Sequence, residues 1–282
     1  KKMAAAMGMG VRTWLSFRCC PVQRPKYYLR AMSSDAVGGK VFALNEEQKR
    51  AVEAPEAVVR VAAGPGSGKT AVLGERVRHL IEDWQVDPRH VTCITFGKKA
   101  AREMESRIRQ HVSRKRDAEL VSVSTFHAFG LRVLRRWINV AGGGRRLGFT
   151  VYHSGDQDSL IKEILTERGL EGSYSIEDLR SSISKMKNGF HRPPPQNELW
   201  EVYLRYEDTM KFRNAVDFDD LIRGTTSVLN IPEAHDAIRR DVRHVLVDEF
   251  QDINHRQLEM LMALCRADDA DADDDHHGHH GH

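Results

Sequence analysis

The chain has 282 residues, of which 40% are hydrophobic and 29% are charged, with 43 basic side chains against 40 acidic ones. This composition excludes a chain that is disordered throughout. No run approaches the about 18 consecutive apolar residues of a membrane-spanning helix, and four cysteines are too few for a disulfide scaffold. The sequence therefore predicts a globular protein with no membrane partner.

The two ends of the chain carry opposite charge. Residues 1–34 hold seven basic side chains and no acidic one, a composition typical of an organellar targeting segment. Residues 266–282 consist mainly of Asp, Ala, His and Gly, which cannot bury enough apolar surface to fold. We therefore expect a disordered basic leader at 1–40 and a disordered tail at 266–282. We expect the protein to be located in the nucleus, with the mitochondrion or chloroplast as the alternative. A second interpretation of the N-terminal segment is an unstructured leader without a targeting function.

Short apolar runs alternate with helical periodicity through the middle of the chain, which is the pattern of an α/β fold. Asn45, followed three residues later by Gln48, resembles a capping box that opens a helix. A further helix is predicted over residues 98–111. Strands are predicted at residues 58–63, 91–96, 120–124 and 242–247. Residues 130–215 show helical faces and no convincing strand, so we predict a helical insertion within the α/β fold.

A glycine-rich loop follows the first predicted strand. It fits the relaxed form of a P-loop, with alanine in the first place, and it leads into an amphipathic helix. Its glycines let backbone N–H groups converge on phosphate oxygens, and the helix N-terminus adds partial positive charge. The sequence predicts an ATP site in this loop, with an incidental glycine-rich turn as the alternative. The loop residues are Ala63, Gly64, Pro65, Gly66, Ser67, Gly68, Lys69 and Thr70.

Two residues of the loop and an acidic pair predict the chemistry of the site. Lys69 is placed to reach the β- and γ-phosphates, and the Thr70 hydroxyl to bind Mg²⁺. Asp248 and Glu249 follow an apolar run, where a P-loop protein needs a carboxylate to complete its metal site. Asp248 is predicted to hold Mg²⁺ directly or through water, and Glu249 to act as general base on the attacking water. Taken alone, an acidic pair after an apolar run is an ordinary strand end that meets solvent.

Six segments occur in the order seen in UvrD/Rep/PcrA-type superfamily 1 DNA helicases, and the chain resembles that family over about residues 42–265. The segments are LNEEQKRAV at 44–52, AAGPGSGKT at 62–70, ITFGKKAAREM at 94–104, STFHAF at 124–129, DFDDLI at 217–222 and VDEFQD at 247–252. The resemblance implies a RecA-like P-loop lobe with a parallel sheet, formed by residues 41–129 and 216–265. The helical insertion at 130–215 interrupts this lobe.

The resemblance also implies roles for single residues. Gln48 matches the family's adenine-reading glutamine, whose amide can donate and accept. Gln251 resembles the residue that links nucleotide state to DNA movement, so it joins Lys69 and Glu249 as a catalytic candidate. Contacts to single-stranded DNA by stacking and by phosphate attraction are implied for Thr95, Phe96, Lys98, Lys99, Thr125, Phe126 and His127.

Some of these implied residue roles have an alternative explanation. Two segments also depart from the family pattern. Phe96 and Phe126 could be core rings, and Lys98 with Lys99 a solvated helix start. The chain has Gly97-Lys98 where the family usually has a Thr-Asn pair before a lysine. The hydroxyl and amide groups that could contact DNA are therefore replaced by a flexible glycine and a positively charged lysine. Phe250 stands where tyrosine is usual, which keeps the ring and loses a hydroxyl.

The family activity implied is ATP-driven, 3′ to 5′ translocation on single-stranded DNA with unwinding at duplex junctions, in repair or recombination. The family continues with a nucleotide-sensing segment and a second RecA-like lobe, whereas this sequence passes from Cys265 into the Asp/His tail. We therefore expect a monomer that binds ATP and Mg²⁺, has weak DNA affinity and unwinds little or not at all. The alternatives are a non-enzymatic nucleotide- and DNA-binding module, and an unrelated P-loop ATPase or RNA-directed helicase.

Overall fold

A computed structural model of the chain describes residues 12–18, 27–32, 44–64, 66–141, 143–190, 194 and 197–266. They form two compact units. The first runs up to Phe126 and resumes at Asp236, and the second runs from His127 to His235. The tail predicted to be disordered lies outside the described residues, except for Arg266. None of the described helices combines the length and the apolar character that crossing a bilayer requires.

The first unit is built on a six-stranded sheet. The strand order is β2-β3-β1-β8-β4-β5. Strand β1 is antiparallel to both of its neighbours, and the other strands run parallel to one another. The strands are β1 (Arg12–Arg18), β2 (Tyr27–Met32), β3 (Val58–Ala63), β4 (Val91–Thr95), β5 (Ser122–Thr125) and β8 (His244–Val247), while β6 and β7 belong to the second unit.

Helices cover this sheet and explain why strands β4 and β8 are buried on both faces. Every residue of β4 and β8 is buried, which is typical of parallel strands packed between helices. One buried cluster joins Val61 of β3 with Leu73 and Met104 of two helices. The helices of this unit are α1 (Glu46–Glu53), α2 (Lys69–Arg78), α3 (Lys98–His111), α4 (Lys115–Leu120) and α11 (His255–Leu264).

The predicted elements of this unit are largely confirmed. The strand at 58–63, the helix at 98–111 and the capping box of Asn45 with Gln48 are found as predicted. Strand β4 ends one residue early, at Thr95, and the following residue, Phe96, is 59% exposed. Strand β5 begins at Ser122 because residues 115–120 form α4, a helix that was not predicted, and β8 begins at His244.

The prediction of a disordered leader at 1–40 is wrong for β1 and β2. Strand β1 lies inside the sheet, with Thr13 to Phe17 buried and Trp14 fully enclosed. A strand with neighbours on both sides satisfies its backbone hydrogen bonds, and Thr-Trp-Leu-Ser-Phe has enough apolar and aromatic surface to fill that place. The prediction of disorder rested on the average composition of residues 1–34, in which a five-residue apolar segment has little weight. The rest of the leader lies outside the described residues.

The second unit is a helical assembly with one small parallel strand pair. The predicted helical faces are confirmed, and the predicted insertion at 130–215 lies within this unit. The expectation of no strand there is wrong at β6, which has two residues and is too short to show a period. The elements are most of α5 (Phe126–Trp137), β6 (Thr150–Val151), α6 (Ser154–Glu167), α7 (Ile176–Lys187), α8 (Glu198–Phe212), β7 (Ala215–Val216), α9 (Phe218–Leu229) and the start of α10 (Pro232–Asp241).

A buried ion network holds α7, α8 and α9 together in the second unit. The Lys187 ammonium lies 2.6 Å from Asp217 Oδ2, 2.7 Å from Glu207 Oε1 and 3.0 Å from Asp220 Oδ2. Burial lowers the pKa of Lys187, but the charges of Asp220, Asp217 and Glu207 outweigh it and raise the pKa above its usual range. Lys187 therefore stays charged, and removing it would take the cation from the buried Asp217 carboxylate, at a cost of about 3–5 kcal/mol.

Trp14→Ala tests whether β1 belongs to the fold. Because the Trp14 ring is fully buried, we expect the free energy of unfolding to fall by about 3–5 kcal/mol, as for other buried aromatic side chains truncated to alanine. Urea denaturation of the full chain measures this. Phe190→Ala is the control, since that ring is 68% exposed and its loss should change stability by less than about 0.5 kcal/mol. An unchanged transition in Trp14→Ala would mean that residues 12–18 lie outside the fold.

Candidate nucleotide site

The glycine-rich loop joins the carboxyl end of β3 to the first turn of α2. Gly66 and Gly68 both have a φ of +77°, in the left-handed region that glycine adopts without strain. A β-carbon built on Gly64 or Gly66 would meet no atom within 4 Å, so this side of the loop is open. The loop can therefore bring its backbone close to a ligand. Pro65, also predicted to be part of the site, lies outside the described residues.

The Lys69 side chain folds back over this loop. Its ammonium donates to the carbonyl oxygens of Gly64 at 2.6 Å and Ala63 at 3.1 Å, and lies 3.4 Å from the Ser67 hydroxyl. That hydroxyl in turn donates to the Gly64 carbonyl at 2.8 Å. Lys69 is 8% exposed. A buried cation therefore lies beside the positive end of α2, and together they form an electrostatic site for phosphate.

Gln48 connects α1 to the phosphate loop. Its Oε1 accepts from the backbone N–H of Asn45 at 2.9 Å, and its Nε2 donates to the Ser67 carbonyl at 3.1 Å. A side-chain amide has two N–H hydrogens and two oxygen lone pairs. Gln48 can therefore keep these bonds and still offer hydrogen bonds to a base edge, as its predicted role requires.

The acidic pair lies at the carboxyl end of β8. The backbone N–H of Asp248 donates to the Ile94 carbonyl of β4 at 3.1 Å, which continues the ladder into the turn. Glu249 has φ +47° and ψ +45°, a left-handed conformation that costs a non-glycine residue about 1–2 kcal/mol. Its N–H donates to Asp248 Oδ1 at 2.9 Å, and its carboxylate accepts from Gln251 Nε2 at 2.5 Å. Strain at an acidic residue beside a phosphate loop is typical of a functional site.

The loop and the acidic pair meet at one edge of the sheet. Strands β3 and β8 run parallel, about 10 Å apart across the intervening β1, and both end towards the same edge of the sheet. The Thr70 hydroxyl and the Asp248 carboxylate are hard oxygen donors, which suit Mg²⁺. Among the described residues no group of three or more His, Cys, Asp or Glu could hold a metal ion alone. This donor set fits a magnesium ion that takes its other ligands from nucleotide phosphates and water.

Six of the residues predicted to contact DNA lie at or just after the carboxyl ends of β4 and β5 in the first unit. Thr95 lies directly opposite Thr125 in the parallel pairing of these strands. Phe96 follows with its ring 59% exposed, and Lys98 with Lys99 begins α3 on the surface. Phe96 and the two lysines are therefore available to a ligand at this edge.

The structure contradicts two of the predicted DNA contacts. Thr95 is 1% exposed and donates its hydroxyl to the Gly97 carbonyl at 3.2 Å, so it faces the interior. Phe126 is also 1% exposed, because the first turn of α5 packs it into the core. Thr125 is half-buried at the end of β5.

His127 begins the second unit and is also half-buried. Its ring packs edge-on against Phe218, with ring centroids 5.4 Å apart. Burial lowers the pKa of His127, although the charge of Asp219 opposes that shift. The lowered pKa favours the neutral form of the His127 ring over the charged form.

One contact of the site was missed in the sequence because it comes from β1. Thr13 donates its backbone N–H to Gln251 Oε1 at 2.6 Å, and its hydroxyl lies 3.2 Å from the same oxygen. The sequence pattern that could have predicted β1 is the short run of β-favouring residues around Trp14, which lies within a segment of basic composition.

A glycine loop around a buried lysine, with an acidic pair at the same edge of a mostly parallel sheet, defines a P-loop nucleotide-binding lobe. Residues 44–271 match the family model of the UvrD/REP helicase N-terminal domain, and the chain belongs to this family.

Curated relatives of this family match over the same region. The ATP-dependent DNA helicase PcrA of Staphylococcus aureus is 35% identical over 233 residues, which cover 79% of this chain and 31% of the relative. The ATP-dependent DNA helicase Rep of Salmonella typhimurium is 36% identical over 232 residues, which cover 78% of this chain and 34% of the relative. The chain thus spans about a third of the length of these relatives.

The strain at Glu249 is testable by comparing two substitutions. Glu249→Gly and Glu249→Ala both remove the carboxylate and its hydrogen bond to Gln251, but only glycine adopts a φ of +47° freely. We expect the glycine variant to be more stable than the alanine variant by about 1 kcal/mol. Chemical denaturation of the two proteins side by side gives this difference. Equal stability would show that the backbone at Glu249 relaxes out of the left-handed region.

Proposed function

We propose that this chain binds ATP with Mg²⁺ and hydrolyses the ATP, as the ATP-binding region of a DNA helicase that contacts single-stranded DNA. The observation that carries the proposal is the Lys69 ammonium inside the glycine loop, at the same sheet edge as Asp248 and Glu249. Membership of the helicase family supports it.

Binding exchanges hydrogen bonds within the loop for hydrogen bonds to phosphate. Lys69 leaves the carbonyl oxygens of Ala63 and Gly64 for the β- and γ-phosphate oxygens, and the backbone N–H groups around Gly66 and Gly68 surround the phosphates. Charge-assisted bonds are stronger than the neutral-acceptor bonds that they replace. ATP binding is therefore favourable although Lys69 already has partners.

Hydrolysis needs a base and a charge-stabilising environment around the γ-phosphate. The Glu249 carboxylate takes a proton from water while the water oxygen attacks the γ-phosphorus and ADP leaves. Lys69 stabilises the charge that develops on the phosphate oxygens. Thr70 and Asp248 would hold Mg²⁺, which when bound neutralises charge on the β- and γ-phosphates.

Two substitutions separate ATP binding from hydrolysis. Lys69→Ala should weaken ATP binding roughly tenfold or more, because a charge-assisted contact is lost. Glu249→Gln should leave the affinity nearly unchanged and lower kcat by about 10²- to 10⁴-fold, because the base is lost. The measurements are binding of a fluorescent ATP analogue and DNA-stimulated phosphate release. Lys115→Ala, on the exposed surface of α4, is the control. Binding without hydrolysis by the native chain would favour a non-enzymatic module.

We also propose that the edge formed by Phe96, Lys98 and Lys99 contacts single-stranded DNA. An exposed ring can stack on any base, and the two ammonium groups attract phosphates without regard to sequence. Unwinding at duplex junctions with 3′ to 5′ polarity, and a role in repair or recombination, are proposals for the whole protein and rest on the family resemblance.

Phe96→Ala tests the DNA contact. Base–aromatic stacking contributes about 1–3 kcal/mol per base, so we expect the affinity for single-stranded oligonucleotides to fall about 5- to 100-fold. Protein stability should change little, since the ring is 59% exposed. Fluorescence anisotropy with labelled DNA and RNA at fixed salt measures the affinities. Phe212→Ala, whose ring is 88% exposed on α8, is the matched control. Equal losses in both variants, or a strong preference for RNA, would count against the proposal.

A further inference from the structure

Strand β1 reaches the nucleotide site from outside the region that matches the family. The family match begins at residue 44, whereas β1 spans Arg12–Arg18. Because β1 is antiparallel to β3 and β8, its first residues lie at the carboxyl ends of those two strands. Arg12 lies opposite Ala63, the first residue of the phosphate loop. The start of β1 is therefore at the edge that carries the loop and the acidic pair.

The Thr13 backbone needs a hydrogen-bond partner at this edge. The pairing of β1 with β8 ends where Leu15 lies opposite Val247, two residues short of Thr13. Thr13 is 2% exposed, and a buried N–H without an acceptor is costly. Gln251 Oε1 accepts that N–H at 2.6 Å and lies 3.2 Å from the Thr13 hydroxyl. The side chain of Gln251 thus continues the ladder of β1.

This contact sets the orientation of the Gln251 amide. Because the carbonyl end receives the donors of Thr13, the Nε2 end points away from β1, where it donates to Glu249 Oε2 at 2.5 Å. Asp252 Oδ2, at 3.3 Å, is a second acceptor for the same Nε2. Without the bond to Thr13, the amide could turn from Glu249 towards Asp252. A hydrogen-bonded series therefore runs from Thr13 through Gln251 to Glu249.

We propose that Thr13 is a positioning residue for ATP hydrolysis, whose hydroxyl acts through Gln251 on the Glu249 carboxylate. This inference rests on the proposed role of Glu249 as the base. Glu249 sits on a strained turn, and its carboxylate must be held where it can take a proton from water. Orientation of a catalytic group by fixed hydrogen bonds lowers the barrier because fewer rotamers compete with the productive one.

A double-substitution experiment on the full chain tests the proposal. Thr13→Val keeps the shape of the side chain and removes the hydroxyl, and we expect kcat for ATP hydrolysis to fall about fivefold, the effect of one lost neutral hydrogen bond. The Kd of a fluorescent ATP analogue should stay unchanged, and Thr13→Ser should restore kcat. In the Gln251→Ala background, Thr13→Val should cause no further loss, because the series is already broken.

Ser16→Ala is the matched control, since Ser16 is a buried hydroxyl residue of the same strand that pairs with Val59 and Leu246. We expect its kcat to equal that of the native chain. An equal loss of kcat from Thr13→Val with and without Gln251 would overturn the proposal, because it would show that Thr13 acts only through the stability of β1. An unchanged kcat in Thr13→Val would overturn it too.

Hydrogen exchange tests the same contact without turnover. In the native chain the amide of Thr13 should be protected, and Gln251→Ala should speed its exchange at least about tenfold while other β1 amides keep their rates. If the native chain releases no phosphate, the proposed hydrolysis fails on its own, and this measurement still decides whether Gln251 holds Thr13. Unchanged protection of Thr13 in Gln251→Ala would overturn the inference.

Discussion

The pairing of β1 with β3 on one side and β8 on the other is the constraint on which the candidate site depends. It sets the spacing between the strand that ends in the phosphate loop and the strand that ends in the acidic pair. Without a strand in that position, the N–H and C=O groups of β3 and β8 that face it would be buried without partners. The helices on the two faces then bury the apolar side chains of the sheet and make the spacing rigid.

The backbone at this edge adopts conformations that side chains normally avoid. Gly66 and Gly68 take up left-handed φ values without strain, which lets the loop turn towards a phosphate. Glu249 has a left-handed φ and carries a side chain, so its turn stores strain. The packed strands β3 and β8 offset that strain and hold the loop residues, so the sheet can present a functional residue in an unfavourable conformation.

The second unit shows that a motif of the family can serve folding. Asp217 and Asp220 belong to the segment DFDDLI, and both are buried around the Lys187 ammonium. The Arg145 guanidinium adds a second positive charge 2.8 Å from Asp220 Oδ2. Buried charges persist only when they are paired. These two aspartates therefore hold helices of the second unit in place.

Elements with local signals could be predicted from the amino-acid sequence. Glycine spacing, an apolar run before an acidic pair and a capping box were enough to locate the phosphate loop, Asp248 with Glu249 and the start of α1, because these features depend on nearest neighbours. The exposure of Phe96 and the burial of Phe126 could not be predicted in this way, because burial depends on elements that are distant in the chain. Only the tertiary structure shows that β1 lies inside the sheet and that Thr13 contacts Gln251, since pairing across 238 residues leaves no local pattern in the chain.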